Sequence, residues 1–194
     1  MSASQSGTAH DCAAGPSPWI LRFAPLAGSG ARVLDIACGR GRHSALFASR
    51  GCRVVAVDRD AAALAALSGV AGVATVACDL ESGAWPLGEE RFDVVVVTNY
   101  LHRPLFRPLL GAVADDGLLL YETFAVGNEV YGRPSNPDFL LKDGELLGIV
   151  RDALTVVAFE QGAISGERPA VLQRLAAVGR GRPWPPPLPP WRLG

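Results

Sequence analysis

The chain has little excess charge of either sign: 18 Lys and Arg stand against 19 Asp and Glu, a net charge of −1 over 194 residues. A nucleic-acid backbone is neutralised by clustered cations, so a bulk electrostatic grip on DNA or RNA is not expected. No apolar run reaches the roughly 18 residues that would cross a bilayer. The opening "MSASQSGTAHDCAAGP" lacks the charged-then-apolar build of a secretion signal, so the expectation is a cytoplasmic protein with no membrane segment. Cysteines are few, and Cys12, Cys38, Cys52 and Cys78 show no C-x-x-C spacing, which argues against a zinc site or a disulfide framework. There is no internal repeat, no nucleophile elbow and no obvious triad; no metal is expected.

Hydrophobic residues are plentiful at 49 %, and 22 glycines and 15 prolines punctuate them. That combination suits one globular domain with a core large enough to fold alone. Residues 1–15 read as a flexible N-terminus, 16–179 as the domain and 180–194 as a proline-rich tail. The tail "GRGRPWPPPLPPWRLG" cannot join a sheet, because proline lacks the N–H and fixes φ. It suits either a surface-draped end or a polyproline ligand for a partner's aromatic groove.

Between these ends, short apolar runs alternate with helical patterns. "ARVLDIA", "CRVVAVD", "GVATVACD" and "FDVVVVT" read as buried strands, with helices over "RHSALFASRG", "AAALAALSG" and about 104–114. Trp19, Phe23 and Leu26 lie at helical spacing in an earlier segment. "GLLLYETF", "ALTVVAFEQGA" and "PAVLQRLAAV" follow as strands, the last two without a helix between them. The expected fold is an α/β, doubly wound, mostly parallel sheet with an antiparallel edge and helices on both faces.

In such a sheet, ligands bind beyond the carboxyl ends of the strands. Three strands end in acids: Asp35, Asp58 and Asp79. Gly39 and Gly41 place a G-x-G loop between Asp35 and the next helix, letting backbone approach a ligand closely. A dinucleotide fingerprint would ask for a third glycine at position 44, which is Ser44. Asp35 also disfavours a pyrophosphate at the loop, since like charges repel. Asp58, about 20 residues further on, lies where an acid accepts from ribose hydroxyls. The guest should therefore carry a cation near Asp35 and a ribose near Asp58. S-adenosylmethionine meets both demands, with Asp79 and the Leu80 N–H available to adenine.

"VLDIACGRG", "VVAVD", "CDL" and "FDVVVVTN" together resemble the ordered motifs of class I S-adenosylmethionine-dependent methyltransferases. The resemblance covers roughly residues 32–124 and extends to the bacterial branch that includes tellurite-resistance-type and other small-molecule methyltransferases. It implies a seven-stranded sheet with a reversed final strand and cofactor contacts at Asp35, Gly39, Gly41, Asp58 and Asp79. Ala37, Cys38, Arg59, Leu80 and Thr98 complete the expected cofactor-binding set; Ala37 stands where many members have glycine.

The acceptor is expected near "TNYLHRPLFRP" and the long segment "YETFAVGNEVYGRPSNPDFLLKDGELL". Asn99, Tyr100, Glu122, Tyr131 and Arg133 are the candidate substrate-binding residues, with Asn128 as a further polar group in that segment. His102 is the candidate general base, since an ordinary imidazole titrates near neutrality. His43, after the glycine loop, is expected to support the cofactor site; His10 carries no assignment. Methyl transfer to a positioned nucleophile can proceed without a base, because proximity supplies much of the acceleration. "TNYL" is not the Asn/Asp-Pro-Pro-aromatic signature of amide or adenine methylation. Two other readings stay open: an NAD-dependent oxidoreductase that keeps Asp58 for ribose, and a non-catalytic binding or scaffold protein that docks through its tail.

Overall fold

The computed structural model describes residues 15–186. The expectations for residues 1–14, His10 and Cys12 among them, and for 187–194 lie outside the described residues. Seven strands form one sheet in the order β3-β2-β1-β4-β5-β7-β6. They are β1 (Arg32–Ile36), β2 (Arg53–Asp58), β3 (Val73–Ala77), β4 (Phe92–Thr98), β5 (Val113–Phe124), β6 (Leu154–Ile164) and β7 (Ala170–Gly179). All pairings through β5 are parallel, and β7 runs antiparallel to both its neighbours. The reversed strand is therefore inserted between β5 and β6. It is not the edge that its late position suggests.

The central strands are buried on both faces, which explains why "FDVVVVT" reads as an unbroken apolar run. Side chains alternate between two cores. Val33, Val94, Val96, Leu118 and Leu120 pack with α1 (Pro18–Phe23) and with Phe47 of α2 (Arg42–Ser49). Leu34, Val95, Val97, Leu119 and Tyr121 pack with α4 (Phe106–Ala112) and α5 (Glu145–Val150). Trp19, Phe23 and Leu26 are all buried, as their spacing predicts. The Trp19 indole also donates to the Leu175 carbonyl at 3.2 Å, pinning α1 onto β7.

Helices are shorter than the sequence suggests. The "AAALAALSG" helix, α3, covers only Ala61–Leu64 before tightening to a 3-10 turn over Ala65–Leu67. The Asp60 carboxylate caps it as expected, accepting from the Ala62 and Ala63 N–H groups at 2.9 and 3.0 Å. The tail starts by draping over the domain: Arg182 donates to the Leu26 carbonyl at 2.7 Å, and the Gly181 N–H to that of Asp115.

The long segment after β5 is neither structureless nor loose. It holds 3-10 turns at Asn128–Val130 and Pro137–Phe139, and it leads into α5. Asn128 is buried and braces the segment internally. Its amide donates to the Pro134 carbonyl at 3.0 Å and accepts from the Val171 N–H at 3.1 Å. Arg103, just past β4, clamps the far end. Its guanidinium meets Glu145 at 2.7 and 2.9 Å and donates to the Asp138 and Leu140 carbonyls at 2.8 and 2.9 Å. Burial alone would raise the Glu145 carboxyl, but hydrogen bonds from Arg103 and the Lys142 N–H hold it below its usual range. Arg103→Ala is expected to cost about 1–3 kcal/mol through these charge-assisted bonds. Hydrogen exchange should accelerate across 126–145 while β1 and β2 keep their protection.

Candidate functional site

The strand order reverses direction between β1 and β4, and this is where an open α/β sheet leaves a crevice at its carboxyl ends. The glycine loop crosses that point. Ala37, Gly39 and Gly41 all adopt left-handed backbone, with φ of 51°, 55° and 77°. The two glycines do different work there. A Cβ on Gly39 would meet nothing within 4 Å, so its backbone faces open space. A Cβ on Gly41 would lie 2.4 Å from the Leu67 side chain, so the close approach at Gly41 is to the protein itself. Gly41→Ala should cost about 2 kcal/mol or more, from the left-handed backbone together with overpacking against Leu67. Thermal denaturation checks this.

The acids at the strand ends are held by backbone. Asp58 accepts from the Gly39 N–H at 2.8 Å through one oxygen and from the Asp60 N–H at 2.9 Å through the other. The end of β2 is thus tied directly to the glycine loop, with carboxylate lone pairs left over. Asp79 is exposed; its Oδ1 accepts from the Glu81 N–H at 3.0 Å, leaving Oδ2 open. Leu80 is buried beside it. Cys38 is half-buried in the loop and its N–H donates to the Val57 carbonyl. Burial, then the negative charges of Asp35 and Asp58, push its thiol well above the usual range, so it stays protonated.

Asp35 departs from the sequence-based picture of a carboxylate at the loop's mouth. It is 1 % exposed and lies beneath the loop, on the face that packs against α1 and α2. Its Oδ2 accepts from the Ser44 hydroxyl at 2.6 Å, while Oδ1 is buried with no hydrogen-bond partner. Burial raises its pKa to about 6, against the lowering effects of Ser44 and the Arg42 charge.

His43 supports the site from the residue next to Ser44. Its Nε2 faces the Ser17 N–H at 3.0 Å, so that nitrogen can only accept. The proton therefore sits on Nδ1, which lies 3.3 Å from the Thr98 hydroxyl and donates to it. Burial, then the Arg42 charge, lower the His43 pKa to about 3, so the ring stays neutral. Thr98 is buried in this contact, and its hydroxyl serves α2 before any ligand.

Two expected substrate residues are engaged or buried within the protein. Glu122 is buried in the sheet, where Arg174 of β7 sits opposite it and pairs with it at 2.7 Å; Arg174 also reaches Glu160 at 3.5 Å. Glu122 is part of the sheet's internal ion-pair ladder. The Tyr100 hydroxyl is buried without a hydrogen-bond partner. Burial, then the Glu81 and Asp79 charges, raise its pKa, which places the ring on the Asp79 side of the crevice. Asn99, with φ of 54°, is exposed at the end of β4; Tyr131 and Arg133 are exposed on the braced segment. His102 is half-buried just before the Arg103–Leu105 turn. No hydrogen bond to its ring is found among the described residues. Sequence reasoning missed Ser44 as a partner of Asp35 and Arg103 as the clamp. The only signal for either was Ser44 interrupting the dinucleotide spacing.

Residues 33–115 match the family model for a methyltransferase domain. This stretch, under half of the chain, is similar to methyltransferase domains. The resemblance drawn from the motifs between 32 and 124 is thereby borne out, as is the seven-stranded architecture. Solved structures of methyltransferases share the fold of the chain. TehB from Haemophilus influenzae superposes with a TM-score of 0.70 at 16 % identity, over 83 % of this chain and 61 % of its own. A methyltransferase from Methanosarcina mazei gives 0.65 at 14 %, over 86 % and 99 %. The 1,6-didemethyltoxoflavin-N1-methyltransferase of Burkholderia thailandensis gives 0.58 at 24 %, over 82 % and 75 %. At these identities the likeness carries the fold. The chain thus spans less than two thirds of the Haemophilus protein. No curated protein matches it.

The residues at these strand ends suit S-adenosylmethionine on features of their own. Asp35 Oδ1 is a buried acceptor that lacks a donor, Gly39 leaves a cradle that a side chain would fill, and Asp58 and Asp79 keep free lone pairs at the ends of β2 and β3.

Proposed function

We propose that the chain binds S-adenosylmethionine at the ends of β1–β3 and methylates a small-molecule acceptor in the cytoplasm by in-line transfer. The observation that carries this reading is the donorless Asp35 oxygen beneath an open glycine cradle. An ammonium group reaching Oδ1, directly or through one water, would satisfy it, whereas a diphosphate would add negative charge above a buried carboxylate. Asp58 would accept from the ribose hydroxyls, Asp79 Oδ2 from the adenine amino group, and the Leu80 N–H would donate to the ring. Tyr100 would wall the adenine side. When bound, S-adenosylmethionine supplies a methyl group on a sulfonium, already activated toward a nucleophile.

On the acceptor side, Asn99, Tyr131 and Arg133 are free to contact a substrate, and the His102 ring is free to take its proton. The segment carrying Tyr131 and Arg133 is held by Asn128 and Arg103, so acceptor contacts are preorganised. A small acceptor is supported by the near-neutral charge of the chain and by the Burkholderia neighbour, which was solved with bound 1,6-didemethyltoxoflavin and S-adenosylhomocysteine. Among the described residues, no helix is long and apolar enough to cross a membrane.

Calorimetry with S-adenosylmethionine and S-adenosylhomocysteine tests the cofactor. Both should bind, and Asp58→Ala should weaken binding by about 10–100-fold, the worth of one or two hydrogen bonds to a charged group. NAD should give no heat. Binding of NAD without a response to either sulfur ligand would reverse the assignment. Incubation with methyl-labelled cofactor and a fractionated cell extract, reading which size class gains label, tests the acceptor.

A further inference from the structure

We propose that Ser44 is a positioning residue for the cofactor site: its hydroxyl holds the Asp35 carboxylate in the orientation that receives the cofactor's ammonium. This inference rests on the cofactor reading above and assigns a function to the residue that breaks the dinucleotide spacing.

The geometry leaves Ser44 little else to do. Asp35 is locked in the sheet between Ala56 of β2 and Val96 of β4, so its side chain must project toward α2. Ser44 is itself wholly buried there, in the first turn of α2. The 2.6 Å separation from Oδ2 is in the range of a hydroxyl bound to an ionised carboxylate. Because Oδ2 is engaged, the other oxygen is the one left without a donor.

The charges around Asp35 explain why a neutral donor matters. Asp58 of β2 opposes its ionisation, and the Cys38 thiol in the loop stays protonated beside it. His43 is neutral, held by Ser17 of the α1 approach and Thr98 of β4. Arg42, one turn-position earlier on α2, is the favourable charge. Ser44 adds the hydroxyl and backbone donors that keep a buried carboxylate near the neutral range. Without the hydroxyl, Asp35 would keep its proton to higher pH and could turn its neutral O–H toward the pocket. It would then fail to attract a cation.

The test compares two ligands that share the nucleoside but differ in the ammonium. S-adenosylhomocysteine carries the amino-acid end; 5′-methylthioadenosine lacks it. In full-length protein at pH 7, Ser44→Ala should weaken S-adenosylhomocysteine about tenfold and leave 5′-methylthioadenosine unchanged. The pH at which S-adenosylhomocysteine affinity falls by half on acidification should also move upward by about one unit. Ser44→Cys, similar in size with a poorer donor, should behave like Ser44→Ala, and Ser44→Thr should restore binding. Equal loss of both ligands, or an unmoved pH profile in both the Ala and Cys variants, would reduce Ser44 to packing and overturn the inference. Wild-type protein that binds neither ligand would instead overturn the cofactor reading itself.

Discussion

Asp35→Asn is expected to yield a protein that is more stable without ligand and nearly unable to hold S-adenosylmethionine. A carboxyl whose pKa rises from 3.8 to about 6 on folding opposes the folded state at neutral pH by about 3 kcal/mol. The amide is uncharged, similar in shape and still accepts from Ser44, so that opposition disappears. For a domain of this size the melting temperature should rise by about 6–12 °C at pH 7. The gain should shrink to less than about 1 kcal/mol by pH 4 and vanish near pH 3, where Asp35 is protonated in both states. Cofactor affinity should fall about a hundredfold, because the buried charge that answers the ammonium has gone. A variant that is both less stable and equally able to bind would show that Asp35 is a structural residue.

Acid should affect the protein through two groups of opposite sign, and removing either should expose the other. Between about pH 6 and 4, folded Asp35 takes up a proton that the unfolded chain does not yet hold, so acidification favours the fold. His43 does the reverse. Its folded pKa of about 3 lies below the ordinary imidazole value of 6.5, so acidification from 6.5 favours the unfolded chain, which binds the proton first. Each slope is about 1.4 kcal/mol per pH unit, and they offset one another across the shared window. In Asp35→Asn the His43 slope should stand alone, and chemical denaturation from pH 6.5 to 4 should show stability falling by several kcal/mol relative to wild type. His43→Gln should start about 1–3 kcal/mol lower at pH 7, having lost a buried two-ended hydrogen-bond bridge. It should then gain stability on acidification to pH 4. Parallel profiles for both variants and wild type would show that neither group is buried as described.

What could be read from the sequence follows the range over which each interaction acts. Strand ends, acids and the glycine loop are local patterns, so Asp35, Asp58, Asp79 and the sheet they belong to were legible. The bond from the Gly39 N–H to Asp58 ties the end of β2 to the glycine loop. The direction of a side chain at the end of a strand was less legible. Asp35 faces α2 and Tyr100 turns toward Asp79, and both directions depend on the packing of helices far along the chain. Glu122 reads as a substrate contact because it opens a segment that leaves a strand end on the binding side. Its partner Arg174 becomes its neighbour only through the register of the inserted β7, which no local pattern encodes. The segment after β5 reads as loop because Gly, Asn and Pro dominate it. Its order comes from Arg103, Asn128 and Gln173, whose contacts with Leu140, Val171 and Leu146 span tens of residues. Gly41 likewise looked like ligand cradle, and its close neighbour proved to be Leu67.

Placing β7 between β5 and β6 also sets the order in which a growing chain can become complete. Strands β1 to β4 and the glycine loop have all been made by residue 98, and β5 extends their sheet by residue 124. β6 then emerges with no docking edge of its own, since its sole neighbour is a strand not yet synthesised. Until residue 179 clears the ribosome, β5 presents an open hydrogen-bonding edge next to a waiting, partly apolar strand, the arrangement that invites pairing with other chains. Synthesis that stalls between residues 164 and 170 would therefore leave a paired parallel half joined to an aggregation-prone one.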